Sequence, residues 1–154
     1  MVAFRFSMGR IFAKILKSNF PKKQGHGGQK AADFSAVFIH KYLLEELKRQ
    51  KQIEEALKAA ISRTEEEFLQ KAKREQLLDG TTVCVVVINR DKMIIANVGD
   101  SEIVLCKGGN AVLLSEIHNP KKNDREAQRV ERVGGKLHKG RVKRISSRKV
   151  FVHA

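Results

Sequence analysis

The chain has 154 residues and is 42% apolar, which fits one domain or part of one, and no uninterrupted apolar run is long enough to cross a bilayer. The net charge of +14 lies in residues 1–32 and 132–154, which hold seven and eight Lys/Arg and no acid, whereas residues 33–131 hold 16 basic and 17 acidic residues. This balanced middle argues against a domain that binds nucleic acid specifically. Cys84 and Cys106 lie in apolar strand-like segments, so we expect two buried thiols and a reducing compartment, the cytoplasm or the nucleus.

Residues 1–24 form a basic leader of uncertain origin. On a helical wheel its apolar side chains share one side and its basic side chains lie opposite, a pattern typical of helices on anionic membranes and of mitochondrial transit peptides. The signal for membrane contact is weak over so few turns, and an unstructured or artefactual leader is the other interpretation. The residues concerned are Phe4, Met8, Ile11, Phe12 and Ile15 on the apolar side, and Arg10, Lys14 and Lys17 on the basic side.

A glycine-rich turn, Gly25-His26-Gly27-Gly28, precedes two predicted helices. The turn could cradle phosphate, ligate a metal or simply reverse the chain. Apolar residues at spacings of three and four predict helices over residues 29–48 and 53–77. Thr64 followed by Glu67 has the spacing of a capping box, which predicts a break in the second helix.

Beyond Asp79-Gly80 the pattern changes to strands. We predict strands over residues 82–88, 92–98, 101–106 and 111–114, antiparallel to their neighbours because the connections are too short for crossovers. A helix follows over residues 124–133 and ends at Gly134-Gly135. The tail from Lys136 onward is basic, with faint alternation.

An apolar strand ends in Gly99-Asp100-Ser101, which places a carboxylate and a hydroxyl at a strand tip. Asp100 could bind a hard cation or cap the next turn, and this pattern does not decide between the two. His118, two residues before Pro120, is interpreted as structural. The spacing of the histidines and cysteines matches no zinc site.

Taken in order, these blocks resemble the metal-dependent serine/threonine protein phosphatases, the protein phosphatase 2C family. The resemblance covers about residues 25–142, and the stretch between residues 79 and 142 is similar to the integrin-linked-kinase-associated branch. The blocks that carry it are Gly25-His26-Gly27-Gly28, Asp79-Gly80-Thr81-Thr82, Ala96-Asn97-Val98-Gly99-Asp100-Ser101, His118-Asn119-Pro120, Glu126 with Arg129, Gly134-Gly135 and Arg141-Val142.

The resemblance implies an α+β fold, a partial α/β/β/α sandwich of antiparallel sheets flanked by helices. It implies a centre of two Mg²⁺ or Mn²⁺ ions and proteins carrying phosphoserine or phosphothreonine as substrates. By the same resemblance, Gly25 offers its carbonyl to one metal, His26 is a proton donor to the leaving group, and Asp100 binds an additional, weaker metal. The family's bridging Asp is replaced by Gln24.

The chain also departs from the family on both sides of this region. Residues 1–23 contain no acid, and the basic tail over residues 143–154 has none of the family's further aspartates. We therefore expect an inactive, monomeric fragment of a phosphatase. The alternative is a non-enzymatic pseudophosphatase that docks phosphoproteins or a kinase partner. The basic flanks begin where the family pattern stops on each side, which suggests unrelated sequence joined to a phosphatase segment by alternative splicing, gene decay or a faulty gene model.

Overall fold

The computed structural model describes residues 2–6, 11–15, 28–49 and 52–142. Two long helices, α1 (Lys30–Lys48) and α2 (Ile53–Glu75), pack against each other, close to their predicted bounds.

The predicted break in α2 is wrong. Thr64 lies inside the helix, and its hydroxyl donates a hydrogen bond of 2.7 Å to the carbonyl of Ala60, one turn earlier. A buried threonine can bond the preceding turn in this way without acting as a cap. The sequence spacing alone could not distinguish this arrangement from a capping box.

Four antiparallel strands form the main sheet in the order β1-β2-β3-β4. Strands β3 (Val83–Asn89) and β4 (Lys92–Val98) are joined by a two-residue turn and match the predicted hairpin. Strands β1 (Val2–Phe6) and β2 (Ile11–Ile15) extend the sheet on the far side of β3.

The helical pattern of the leader is therefore contradicted over residues 2–6 and 11–15. Strand β2 pairs with β3, with Ile11 opposite Asn89 and Ile15 opposite Val85. A helical wheel registers the spacing of apolar residues within one segment. It cannot register a strand partner far along the chain, and such tertiary pairing overrides a weak local preference.

The core lies between the α1–α2 pair and one face of the sheet. Its buried members come from both helices and from alternate positions of the two central strands, as expected for a half-buried sheet. The opposite face is less covered, since Ile88 and Met93 are 37% and 44% exposed. The core comprises Ile39, Tyr42, Leu43, Ala56, Leu57, Ala60, Ile61, Val83, Val85, Val87 and Ala96.

The remaining elements are small. Strands β5 (Val104–Lys107) and β6 (Asn110–Leu113) form a separate two-stranded sheet, so β5 does not pair with β4 as predicted. Cys84 is buried as expected, but Cys106 is exposed, because strand β5 is exposed along its whole length.

Helix α3 (Asp124–Arg132) is followed by the short hairpin of β7 (Leu137–His138) and β8 (Arg141–Val142). The basic residues Lys136, Lys139 and Arg141, which precede the tail over residues 143–154, thus lie on folded backbone. Helices with small antiparallel sheets confirm the predicted α+β class. Over the described residues, none of the helices is both long and apolar enough to cross a membrane.

Candidate functional site

Two of the sequence motifs meet at one end of the β3–β4 pair. Because Val83 and Val98 are paired, the residue before β3 and the residues after β4 lie at the same end of the sheet. The hydroxyl oxygens of Thr82 and Ser101 are 2.7 Å apart and share a hydrogen bond. Gly99 has φ +96°, and a Cβ atom there would lie 2.6 Å from Cγ2 of Thr82, so this close approach requires glycine.

Asn97 fastens this strand tip to the chain that follows β6. Its side-chain amide donates hydrogen bonds to the carbonyls of Gly99 at 3.2 Å and Glu116 at 2.7 Å. Its Oδ1 accepts from the thiol of Cys84 at 3.0 Å. Burial raises the pKa of the Cys84 thiol, which keeps it neutral and able to donate. Asn97 is itself buried, so these contacts satisfy a polar side chain that would otherwise be costly inside the fold.

The carboxylate of Asp100 is exposed at the tip and accepts a hydrogen bond of 3.2 Å from Nδ2 of Asn119. The backbone N–H of His118 donates to the carbonyl of Gly99 at 3.0 Å. The His118-Asn119-Pro120 block therefore lies against the strand tip. The backbone contact of His118 supports its structural interpretation.

Asp79 connects the next motif to the start of α1. Its Oδ2 accepts a hydrogen bond of 2.7 Å from the backbone N–H of Lys30, one of the amides that a helix leaves without an internal partner. A Cβ atom on Gly28 would lie 2.5 Å from the same oxygen. Asp79 thus touches the last residue of the predicted glycine turn. The other predicted site residues of that turn, Gly25 and His26, lie outside the described residues, as does Gln24.

The described residues do not by themselves form the two-metal centre that the resemblance implies. No three His, Cys, Asp or Glu side chains are grouped so as to hold a metal ion within the described part of the chain. Around Asp100, the carbonyl of Gly99 already accepts from His118 and Asn97, and Oδ1 of Asn119 already accepts from the N–H of Lys121. Asp100 can therefore supply one carboxylate to a cation. The neighbouring oxygens of Gly99 and Asn119 already accept hydrogen bonds from other parts of the fold.

Glu126 and Arg129, which contribute to the resemblance, form a two-pronged ion pair within α3. Nε and Nη2 of Arg129 lie 2.6 and 2.7 Å from the two carboxylate oxygens of Glu126. This contact raises the pKa of Arg129 and keeps its charge beside a buried carboxylate. In this structure the two side chains bind each other within one turn of α3.

The sequence analysis missed the side chains that hold these loops together. Asn97, Asn119 and Asp79 were quoted only as parts of motifs. Asn123 caps α3 by accepting from the N–H groups of Arg125 and Glu126. Two of these residues had a signal in the sequence: Asp79 precedes Gly80 and Asn119 precedes Pro120, and Asp and Asn bond nearby backbone at turns. Asn97 and Asn123 have no such neighbour.

Comparison with known proteins supports the family resemblance. The family model described as protein phosphatase 2C matches residues 7–150. "Probable protein phosphatase 2C 14" of Arabidopsis thaliana is 41% identical over 122 residues, which cover 77% of this chain and 26% of that protein. "Protein phosphatase 1F" of Homo sapiens is 38% identical over 121 residues, which cover 79% and 26%. "Protein phosphatase 1E" of Mus musculus is 41% identical over 111 residues, which cover 72% and 15%.

The chain spans about a quarter of the length of the first two of these relatives. The family match extends beyond residues 25–142 on both sides. The finer likeness to the integrin-linked-kinase-associated branch stays a prediction. A match over most of the chain, together with relatives at this level of identity, shows that the chain belongs to the protein phosphatase 2C family.

Proposed function

We propose that this chain contains part of a Mg²⁺- or Mn²⁺-dependent serine/threonine protein phosphatase and that the 154-residue polypeptide by itself has no phosphatase activity. One observation supports the assignment to this class of phosphatase: three family motifs meet at one end of the β3–β4 pair. There Thr82 contacts Ser101, and Asn119 contacts Asp100. Hydroxyl, amide and carboxylate groups at a strand tip are the groups that bind phosphate and hard cations.

The proposed lack of activity rests on Gln24. By resemblance this position holds the Asp that bridges both metals, and a neutral amide oxygen cannot balance two divalent cations. Residues 132–154 contain no acid that could replace it. The expected consequence is weak metal binding and no activation of a nucleophilic water, which is what such ions supply in this class of hydrolase.

The substrates of the intact phosphatase would be proteins that carry phosphoserine or phosphothreonine. We propose that the chain is a monomer and that it acts in the cytoplasm or the nucleus. Mitochondrial targeting by the basic leader is the alternative location, as set out from the sequence.

Activity and metal binding can be tested on the purified chain with a phosphothreonine peptide and Mn²⁺. We expect no release of phosphate above the protein-free blank and no saturable Mn²⁺ binding by calorimetry. A Gln24→Asp variant should bind Mn²⁺ more tightly than the wild-type chain, and Gln24→Asn is the matched control that leaves the position neutral. Mn²⁺-dependent hydrolysis by the wild-type chain, abolished by EDTA, would refute the proposal.

A non-enzymatic interaction module is the second candidate, and the buried core between α1, α2 and the sheet favours it. A docking module must fold without the catalytic ions. We expect a cooperative thermal transition in EDTA and binding of a phosphoprotein without hydrolysis. A non-cooperative melt with strong binding of a hydrophobic dye would contradict this candidate.

A further inference from the structure

A basic surface lies on the last part of the described chain. Residues 118–142 hold eight Lys/Arg and three Asp/Glu, a net charge of +5. By contrast, residues 28–49 and 52–117 together hold twelve Lys/Arg and fourteen Asp/Glu, a net charge of −2. The sequence places the excess of positive charge at the ends of the chain. Part of that charge therefore lies on folded backbone.

This surface adjoins the strand tip. Asn119 donates its side-chain amide to Asp100 and accepts the backbone N–H of Lys121 at 3.1 Å. The turn of the β7–β8 hairpin packs on Lys121, since a Cβ atom on Gly140 would lie 2.9 Å from Cβ of that lysine. The loop that contacts Asp100 and the β7–β8 turn thus form one continuous surface.

The lysines and arginines on this surface differ in their local counter-charges. Lys122 and Arg125 line a shallow depression that Glu116 and Asp124 also line, so carboxylates lie on the same part of the surface. Five further exposed lysines and arginines form no ion pair with the described residues and line no such depression, namely Lys121, Arg132, Lys136, Lys139 and Arg141. Three of these, Lys121, Lys139 and Arg141, lie where the loop before α3 and the β7–β8 turn pack together, and we call them the basic triad.

We propose that the basic triad binds an acidic segment of a polypeptide partner. The further statement that this segment flanks a phosphorylated residue rests on the proposed function. A phosphorylated side chain near Asp100 would place neighbouring residues of the same peptide within reach of Lys121. Opposite charges at such a rim increase the association rate and select partners by sequence.

The absence of aromatic residues favours a peptide over nucleic acid. Residues 100–142 contain no Phe, Tyr or Trp. Single-stranded nucleic acids are held by basic grooves combined with aromatic side chains on which the bases stack. The basic triad offers charge without such a platform, which suits carboxylate and phosphate groups on a flexible peptide.

The test measures fluorescence anisotropy of labelled peptides with the full chain. One peptide has phosphothreonine flanked by Glu and Asp, a second has the same flanks with unmodified threonine, and a third has Gln and Asn flanks. We expect both acidic peptides to bind more tightly than the neutral one, with affinity falling as KCl is raised from about 50 to 300 mM. The comparison uses no catalytic readout, so it stands whether or not the chain hydrolyses phosphate.

Variants locate the binding. Lys121→Glu combined with Lys139→Glu should weaken binding of the acidic peptides about tenfold, because two contacts become repulsive. Lys58→Glu combined with Lys73→Glu, both exposed on α2, changes net charge equally and should alter affinity less than about twofold. Lys121→Gln with Lys139→Gln should give an intermediate loss, and matching thermal melts check folding.

Three results would overturn the proposal. Equal losses in the two double Glu variants would show that total charge or the basic flanks bind the peptide. Equal affinity for the acidic and neutral peptides would remove the role of acidic residues. Tighter binding of oligouridylate, weakened by the same triad variant, would identify the partner as nucleic acid. A fourth result would separate the two parts of the proposal. If the phosphorylated acidic peptide binds no more tightly than the unmodified acidic peptide, the link to the proposed function is lost, while binding of acidic peptides remains.

Discussion

Two carboxylates in this fold, Asp79 and Glu65, differ in their hydrogen bonding and burial. Asp79 is tied to the N-terminus of α1, where the helix dipole favours negative charge. Glu65 on α2 has a buried Oε1 atom without a hydrogen-bond partner in the described part of the chain, and burial raises its pKa to about 7. Asp79 therefore contributes a hydrogen bond at a helix start, whereas burial favours the neutral form of Glu65.

Replacing Asp79 with alanine should destabilise the chain by about 1 kcal/mol, because the N–H of Lys30 loses its partner at a helix start. Asp79→Asn keeps an acceptor oxygen and should cost less. Urea unfolding followed by circular dichroism would measure both. Indistinguishable midpoints for Asp79→Ala and the wild-type chain would show that solvent replaces this bond without cost.

Glu65 should make stability fall as pH rises. Its folded pKa of about 7 lies above the ordinary 4.5, so the folded state binds this proton more tightly and loses that advantage between pH 4.5 and 7. Glu65→Gln should leave the melting temperature nearly unchanged at pH 4 and raise the stability at pH 8 by about 1 kcal/mol, a value reduced for partial solvent exposure.

The control for this prediction is Glu66→Gln, at the exposed neighbouring position. It should shift the melting temperature little at either pH. A pH profile of Glu65→Gln that runs parallel to that of the wild-type chain would contradict the assignment of the effect to this carboxyl.

At the scale of elements, the strand tip depends on glycine and on asparagine side chains. Gly99 allows β3 and β4 to end against each other, and Asn97 ties the tip to the carbonyl of Glu116. The β5–β6 turn has glycines of similar backbone conformation but open surroundings. A Cβ atom on Gly109, at φ +82°, would meet no atom within 4 Å.

Gly99→Ala and Gly109→Ala therefore separate backbone strain from steric conflict. Gly109→Ala should cost about 1 kcal/mol, because only the backbone conformation is unfavourable. Gly99→Ala should cost about 3 kcal/mol, because the methyl group also collides with Thr82. Thermal melts of both variants would measure the difference. Equal losses would mean that the strand tip moves to accept the methyl group.

At the scale of the whole molecule, the core is one-sided. Val87 is fully buried against the helices, whereas Ile88 and Met93 on the other face of the sheet are partly exposed. The β5–β6 hairpin also exposes apolar side chains, with Val104 and Leu113 at 53% and 52%. Hydrophobic stabilisation is concentrated between α1, α2 and the central strands.

Core substitutions should reflect this asymmetry. Val87→Ala should destabilise the chain by about 2 kcal/mol, because two buried methyl groups are lost and a cavity remains. Val86→Ala, at the neighbouring half-buried position on the opposite face, should cost about 1 kcal/mol or less. Urea unfolding with a common slope would compare them. A larger loss at Val86 would show that the second face contributes as much to stability.

Local pattern predicted most of the described elements. The bounds of α1, α2, the β3–β4 hairpin and α3 follow from apolar periodicity and from glycine at element ends, because each depends on residues close in sequence. The helical pattern predicted in the leader was wrong over residues 2–6 and 11–15, because the partner of Ile11–Ile15 is strand β3, far along the chain. Cys106 was predicted wrongly because an apolar strand segment is buried only if another layer covers it.

The sequence by itself determined the family, the α+β class and the place of Asp100 directly after strand β4, since these depend on residue identity and order. Only the tertiary structure decided what the motif residues contact. Asp79 reaches Lys30 from another part of the chain, Asn119 reaches Asp100 from the loop before α3, and the β7–β8 turn packs on Lys121. These contacts join segments that are distant in sequence, and hydrogen bonding and close packing between such segments arise only when the chain folds.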